Sequence, residues 1–324
     1  MTQEDVVLVG VDGSPASLAA VDWAATYAKV HGFSLHLVCS YSVPSFTAAA
    51  LDGGYAALDD SAIADGARAV LDEAVTRVGS HGVRASSAVA TGDAAAVLVE
   101  LSRGAAAVVV GTRGRGGFAG RLLGTVSSAL PAHAHCPTFV VPHRAGSDQD
   151  DPGRGAGLWG PGLTLRPANQ VRRIVVGVDG SPAAEVALGC AIREAEIWDA
   201  ELTAVAAVPV GTGAGILAWL PAAVDHEAIL RDVGEGLDVV VDRALADHPG
   251  VEVRRHVLDG TGAALLTEFS TAVDLVVVGS RGRGGFAGLL LGSTSQAVLH
   301  HAACPVMVVT MRGREAEQAQ QSSG

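Results

Sequence analysis

The chain has 324 residues, a net charge of −12, and only 4% aromatic residues against 49% hydrophobic residues overall. This length accommodates two domains of common size, and the small aliphatic side chains favour packed α/β layers. The acidic balance argues against a general nucleic-acid-binding surface. No apolar run approaches the ~20 residues that a membrane helix needs.

The four cysteines, Cys39, Cys136, Cys190 and Cys304, lie in apolar surroundings and form no C-x-x-C pair. This pattern is typical of buried, reduced thiols in a cytoplasmic protein. The first residues, Met-Thr-Gln-Glu-Asp, are acidic and lead directly into an apolar run, which does not resemble a signal peptide. We therefore expect a cytoplasmic location.

The first half of the chain alternates short apolar runs with segments of helical spacing. The helices are predicted to end at His31 with Gly32 as the stop, to include 63–78, to span 94–103, and to begin near 126. The predicted strands are 6–11, 34–40, 84–90, 105–110 and 136–141. Strands that alternate with helices indicate a parallel sheet covered on both faces.

The same pattern restarts after a segment without apolar periodicity. We predict a first domain at 1–143, a linker at 144–170, a second domain at 171–312 and a disordered tail at 313–324. The second set of predicted strands is 174–178, 202–208, 251–258, 275–278 and 304–309. Such an internal repeat outweighs any single motif as evidence on architecture.

A glycine-rich segment follows the fourth strand of each half and leads into a helix N-terminus. It runs from Gly111 to Thr125 and recurs from Gly279 to Ser293, 168 positions later. Glycines allow close backbone approach, and the unpaired amides of a helix N-terminus attract anions. Hydroxyl and guanidinium groups are added by Thr125, Ser127, Ser293, Thr294, Ser295, Arg113, Arg115, Arg281 and Arg283. The segment therefore predicts phosphate binding, although a plain glycine-rich connection remains the alternative.

An Asp-Gly pair ends the first strand of each half, at Asp12 and Asp179. In a doubly wound sheet this end flanks the point where strand order reverses and ligands bind. A carboxylate there accepts hydrogen bonds from a ribose or an adenine amine. The alternative is an ordinary Asp-Gly turn.

The sequence gives weaker support for other nucleotide-binding motifs, for metal binding, for catalysis and for RNA binding. The glycine loop lacks the G-x-x-x-x-G-K-[ST] pattern, and the first turn is not G-x-G-x-x-G. The histidines near Cys136 and Cys304 match no zinc spacing, so no metal site is predicted. No G-x-S-x-G elbow or positioned base marks an active site, so no catalytic residue is predicted. The Arg-Gly-Gly segments are weak evidence for RNA binding in an acidic protein.

Taken together, these residues resemble the universal stress protein family, in its tandem-domain form common in actinobacteria. The spacing Gly111-x2-Gly114-x9-Gly124-Thr125 matches the family's ATP-binding pattern G-x2-G-x9-G-[ST], and the second half repeats it. The opening Val-Gly-Val-Asp-Gly-Ser and the final Cys-Pro-x-x-Val-Val strand are also similar. The resemblance implies two tandem α/β domains, Rossmann-like or adenine nucleotide alpha hydrolase-like, each a five-stranded parallel sheet of order 3-2-1-4-5 with helices on both faces.

The resemblance also implies one ATP in each half, with Mg²⁺ accompanying the triphosphate. Residues of the first half would hold the ribose, adenine and phosphates: Gly10, Val11, Asp12, Ser40, Gly111, Arg113, Gly114, Gly124, Thr125, Val126 and Ser127. The corresponding residues of the second half are Gly177, Val178, Asp179, Ala207, Gly279, Arg281, Gly282, Gly292, Ser293, Thr294 and Ser295.

The two halves depart from each other at several of these places. Ala207 corresponds to Ser40, and Leu289 corresponds to Arg121, which predicts different affinities. An acidic residue that the family often shows is absent at Ala107 and kept at Asp274.

Three functions follow from this resemblance: an ATP-binding stress or signalling module, a slow ATPase or phosphate or adenylate transferase, and an interaction scaffold without nucleotide. We expect ATP and an unidentified protein as partners, and neither nucleic acid nor a membrane. By analogy with family dimers, the halves are expected to pack through their fifth strands as a pseudo-dimer, and the chain could also form a homodimer.

Overall fold

The computed structural model describes residues 5–42, 60–114, 123–143, 170–209, 226–282 and 291–311. The first half contains β1 (Val6–Gly10), α1 (Pro15–His31), β2 (Ser34–Tyr41), α2 (Asp60–Gly79), β3 (Ala85–Thr91), α3 (Ala94–Leu101), β4 (Ala107–Gly111), α4 (Thr125–His133) and β5 (Thr138–Val141). The second half contains β6 (Arg173–Gly177), α5 (Pro182–Trp198), β7 (Glu201–Val208), α6 (His226–Leu245), β8 (Val253–Asp259), α7 (Gly262–Phe269), β9 (Leu275–Gly279), α8 (Ser293–His301) and β10 (Val306–Val309).

The strands form one ten-stranded sheet in the order β3-β2-β1-β4-β5-β10-β9-β6-β7-β8. Within each half the strands are parallel and follow the order 3-2-1-4-5, which confirms the predicted α/β fold. The halves meet where β5 pairs antiparallel with β10. In each half the order reverses beside the first strand, which places a crevice at the carboxyl ends of β1 and β4, and of β6 and β9.

Alternate residues of each strand face opposite helical layers. In β1, Val7 and Val9 pack with α1 and α2 in one buried cluster, and Leu8 packs with α3 and α4 in the other. Alanines such as Ala20 and Ala24 are fully buried in α1, which brings that helix close to the sheet. The small aliphatic composition thus builds two thin, tightly packed layers.

Both ends of α1 are capped, and its C-terminal end is the predicted one. Ser14 caps the helix, and its hydroxyl accepts a hydrogen bond from the amide of Ser17 at 3.2 Å. Gly32 ends it with φ = 73°, in the left-handed region that glycine adopts without strain. The ends of the other elements differ by a few residues from the predicted ones.

Strands β4 and β5 illustrate these boundary differences. The predicted helix 94–103 ends at Leu101 and tightens into a 3-10 turn over Ser102–Gly104, so β4 begins two residues later than predicted. The predicted fifth strand begins at Thr138, after Pro137, because proline has no amide proton for the sheet ladder.

The sequence comparison paired Asp274 with the wrong residue of the first half. The amide of Asp274 bonds to Arg173, just as the amide of Ala106 bonds to Val6, so its counterpart is Ala106 rather than Ala107. Its carboxylate accepts hydrogen bonds from the amides of Arg172 and Arg173, both at 3.0 Å. Asp274 therefore fixes the entry of β6 into the sheet.

Across the described ranges, no helix combines the length and the apolar character needed to cross a membrane. All four cysteines lie within the described residues as buried thiols outside any disulfide. Burial raises the pKa of the Cys136 thiol to about 12.

A thiol with that pKa is almost wholly protonated at pH 8, and the protonated form is a poor nucleophile. We therefore expect Cys136 in the native protein to resist a thiol-reactive disulfide reagent at pH 8, and to react rapidly once urea exposes it. Mass spectrometry of the modified cysteine would measure both rates. Equal rates in the native and the unfolded protein would contradict the buried placement.

Candidate functional site

The carboxyl end of the first strand in each half carries an aspartate held by its own turn. Oδ1 of Asp12 accepts a hydrogen bond from the amide of Ser14 at 3.0 Å, and Oδ1 of Asp179 accepts one from Ser181 at 2.9 Å. This arrangement fixes the carboxylate while its other oxygen, Oδ2, lies against Gly114 or Gly282. The Asp-Gly turn and the ligand-facing carboxylate are therefore compatible roles for one residue.

The helix cap that follows each aspartate ties the two loops of the crevice together. Besides capping α1, Ser14 donates its hydroxyl proton to the carbonyl of Arg113 at 3.2 Å. Ser181 makes the corresponding contact with the carbonyl of Arg281 at 3.5 Å. The turn after the first strand and the loop after the fourth strand are thus positioned by one buried hydroxyl.

Gly111 and Gly279 allow the fourth strand to approach the first helix closely. A Cβ atom at Gly111 would lie 2.5 Å from the backbone carbon and oxygen of Ala16, and one at Gly279 would lie 2.8 Å from those of Ala183. No side chain can occupy either position unless the helix moves. The first glycine of each loop is therefore required by packing, independently of any ligand.

The second and third glycines of the pattern shape the open side of the crevice. A Cβ at Gly114 or at Gly282 would overlap the Oδ2 oxygen of the facing aspartate. Further along the chain, the amide of Gly124 returns to the carbonyl of Thr112 at 2.8 Å, and that of Gly292 returns to Ser280 at 2.7 Å. These bonds close each loop and place the N-terminus of α4 or α8 over the strand ends.

Helices α4 and α8 begin at this crevice with glycine N-caps, which supply no side-chain acceptor to the first-turn amides. Thr125 and Ser293, the first residues of these helices, are exposed. First-turn amides without a side-chain cap, together with nearby hydroxyls, form an arrangement that suits anions.

The hydroxyls of Ser127 and Ser295 are engaged in hydrogen bonds with the backbone of their own loops. Ser127 donates to the carbonyl of Thr112 at 2.9 Å and accepts from the amide of Gly124 at 3.0 Å. Ser295 donates to the carbonyl of Gly279 at 2.7 Å. Both residues are buried and brace the loop, so their hydroxyls have a structural role that the sequence pattern did not reveal.

In the second half these elements enclose a cleft of about 390 Å³. All of the residues predicted for that half line it: Gly177, Val178, Asp179, Ala207, Gly279, Arg281, Gly282, Gly292, Ser293, Thr294 and Ser295. The remaining lining residues were not predicted: Ala184, Val205, Gly262, Leu266 and Val278. Most of these are apolar residues at ordinary strand or helix spacing, so they carried no signal that separates a cleft wall from the core.

The first half repeats the polar contacts of this cleft. Asp12, Ser14, Arg113, Gly114 and Gly124 lie together through the bonds described above. The residue before each aspartate also matches. The amide of Val11 donates to a carbonyl of β2 and the amide of Val178 donates to a carbonyl of β7, both at 2.9 Å.

The two halves differ at the second strand. Ser40 donates its hydroxyl proton to the carbonyl of Gly92 at 2.7 Å, whereas Ala207 leaves a methyl group on the cleft wall. Leu289, Arg121, Arg115 and Arg283 lie outside the described residues.

Among the described residues, no group of three or more His, Cys, Asp or Glu side chains is placed to hold a metal ion.

The fold and the two crevices define a duplicated α/β protein of the doubly wound type, with ligand-type geometry at the switch point of each half. The chain belongs to the universal stress protein family. The model of that family, described as "Universal stress protein family", matches residues 5–142 and 170–310.

Similar proteins support this assignment over the whole length. A universal stress protein of Mycobacterium tuberculosis is 34% identical over 316 residues, which cover 93% of this chain and 95% of that protein. Another, from Mycobacterium bovis, is 35% identical over 310 residues, covering 93% of this chain and 96% of its own. The crystal structure of a universal stress protein from Archaeoglobus fulgidus has the same fold, with a TM-score of 0.64, 20% identity, and coverage of 95% of this chain and 99% of that one.

The close approach at Gly111 leads to a stability prediction. Gly111→Ala should reduce the free energy of unfolding by about 1–3 kcal/mol, because the added methyl group overlaps the backbone of α1. Urea unfolding followed by circular dichroism would measure the change.

Gly66→Ala is the matched control. Gly66 lies within α2, and a Cβ atom there meets nothing within 4 Å. We expect that variant to be stabilised by about 0.5–1 kcal/mol, because alanine is the better helix former. Equal effects of the two substitutions would contradict the packing role of Gly111.

Proposed function

We propose that the protein is a cytoplasmic ATP-binding module with one site in each half, and that its nucleotide state alters its shape or its choice of protein partner. One observation carries this proposal. In both halves a fixed aspartate at the end of the first strand lies against a glycine of the loop that leads to a glycine-capped helix N-terminus.

The residues fit the parts of ATP. The first-turn amides of α4 and α8, with the hydroxyls of Thr125 and Ser293, suit the phosphates. Asp12 and Asp179 suit the ribose hydroxyls or the adenine amine, since a carboxylate only accepts hydrogen bonds. A cleft of about 390 Å³ lies within the range of small-molecule sites. Mg²⁺ would enter with the triphosphate.

Binding without efficient turnover is the form that these residues favour. The loop has no P-loop lysine, and the chain's single lysine, Lys29, is exposed near the end of α1. Slow ATP hydrolysis, or transfer of phosphate or adenylate, is the second candidate. An interaction scaffold without nucleotide is the third, and complete glycine patterns in both halves disfavour it.

The nucleotide content of the purified protein separates these functions. The protein is prepared without added ATP and denatured, and the released nucleotide is identified and counted by chromatography. About two ATP per chain supports binding in both halves with slow hydrolysis, and about one supports unequal halves. ADP would favour the enzyme, and no nucleotide with no binding of Mg-ATP would favour the scaffold.

Substitution of the second loop glycine tests the site directly. We expect Gly114→Asp and Gly282→Asp each to abolish ATP binding in their own half, because the new side chain overlaps the facing aspartate and adds negative charge beside the phosphates. Calorimetric titration of each variant should lose one site, and the double variant should lose both.

Gly236→Asp adds the same carboxylate within α6, where a Cβ atom meets nothing within 4 Å. Its stoichiometry should equal that of the unmodified protein. Full stoichiometry in both loop variants would show that the site lies elsewhere.

A further inference from the structure

The two halves meet along a seam formed by β5 with β10 and by α1 with α5. Helices α1 and α5 both have 17 residues and begin at Pro15 and Pro182, so each residue of α1 has a counterpart 167 positions later. Strands β5 and β10 both have 4 residues and begin at Thr138 and Val306, which sets their spacing at 168.

Two contacts across the seam join a residue to its own counterpart. In the β5–β10 ladder, Phe139 pairs with Met307. Between the helices, the hydroxyl of Tyr27 donates a hydrogen bond to Oε1 of Glu194 at 2.8 Å. A residue that contacts its own counterpart lies on the twofold axis that relates the two copies. Tyr27 and Glu194 therefore lie on the approximate twofold axis of the molecule, as Phe139 and Met307 do.

Glu194 is a buried carboxylate whose partners come largely from the other half. It is 5% exposed, accepts from Tyr27 as described, and accepts from Nε1 of Trp198 on its own helix at 3.0 Å. Nε2 of His31 lies 3.2 Å from Oε2, at ion-pair distance but without the alignment of a hydrogen bond. A buried carboxylate deprived of such partners is strongly destabilising.

Two side chains of the first half that lie beside this carboxylate, Tyr27 and His31, each hold a proton on a defined atom. Burial, and then the charge of Glu194, hold the pKa of the Tyr27 phenol well above its usual range, so the hydroxyl keeps the proton that it donates. Nδ1 of His31 lies 2.9 Å from the carbonyl oxygen of Tyr27, and it must donate because a carbonyl oxygen only accepts.

Side-chain size is complementary across the axis as well. The first half contributes Trp23, which is 6% exposed and packs on Phe139 with ring centroids 4.5 Å apart. The counterparts of these two residues are the smaller Cys190 and Met307, both buried in the same cluster. One half therefore supplies bulk and the other supplies the space for it.

We propose that the seam is a heterotypic interface, in which each half fits the other half of this chain and rejects a second copy of itself. Pairing of two second halves would place two Glu194 carboxylates together on a buried axis. Pairing of two first halves would double the Trp23 and Phe139 rings where one set now fits. This inference does not depend on nucleotide binding, since neither Tyr27 nor Glu194 lines the cleft.

The full-length protein tests this with substitutions on the axis. Tyr27→Glu places a second carboxylate against Glu194, as a pair of two second halves would. Tyr27→Gln introduces a side chain of the same shape as glutamate but without its charge. We expect the folding equilibrium constant of Tyr27→Glu, from urea unfolding, to be about a hundredfold or more below that of Tyr27→Gln. The exchanged variant Tyr27→Glu/Glu194→Tyr restores an unlike pair and should recover at least about tenfold of that loss.

Equal stability of Tyr27→Glu and Tyr27→Gln would overturn the proposal, because the loss would then reflect only the missing tyrosine. An exchanged variant as unstable as Tyr27→Glu would also overturn it. Where both single variants are unfolded in buffer, the exchanged variant decides: a folded protein supports the heterotypic seam, and an unfolded one contradicts it.

Discussion

The close approach of the fourth strand to the first helix is the constraint on which both halves depend. At Gly111 and Gly279 the sheet lies so near the helix backbone that a single methyl group would overlap it. This distance allows the hydroxyl of Ser14 to reach the carbonyl of Arg113, and it places the carboxylate of Asp12 against the loop. The geometry of the crevice is thus a consequence of helix-to-sheet packing, which the loop glycines allow.

Both halves meet this packing constraint, and the residues that differ between the two halves lie elsewhere. The aspartate, the capping serine and the loop glycines occur in both crevices with nearly equal hydrogen-bond distances. The differences lie on the cleft wall, as with Ser40 and Ala207, and on the twofold axis, as with Tyr27 and Glu194. The crevice requires the same backbone and carboxylate positions in both halves. A residue on the twofold axis requires only that its counterpart be complementary in size and charge. Divergence on the axis converts a self-complementary contact into a contact between unlike surfaces.

The strands, the repeat and the glycine loops could be predicted from local signals in the sequence, whereas the strand order and the full set of cleft residues came from the family resemblance. Apolar runs mark strands, glycines mark ends, and the spacing of Asp179, Gly279 and Gly282 recurs in register. The sequence did not predict that Ser127 braces its own loop, because a hydroxyl at a helix start can turn outward or inward. It also missed the role of Glu194, whose partners Tyr27 and His31 lie more than 160 residues away in the chain. The role of a single polar residue within a helix depends on its tertiary contacts, which the local sequence does not show.

Helix α1 links the two kinds of site in one rigid element. Its N-terminal cap, Ser14, positions the crevice loop, and Tyr27 in its last turns meets Glu194 at the seam. These ends are separated by about 20 Å of helix at 1.5 Å per residue. Its core face carries fully buried alanines and valine, which pack the helix tightly against the sheet. The Asp12 turn and the seam are therefore joined by one continuous, packed helix.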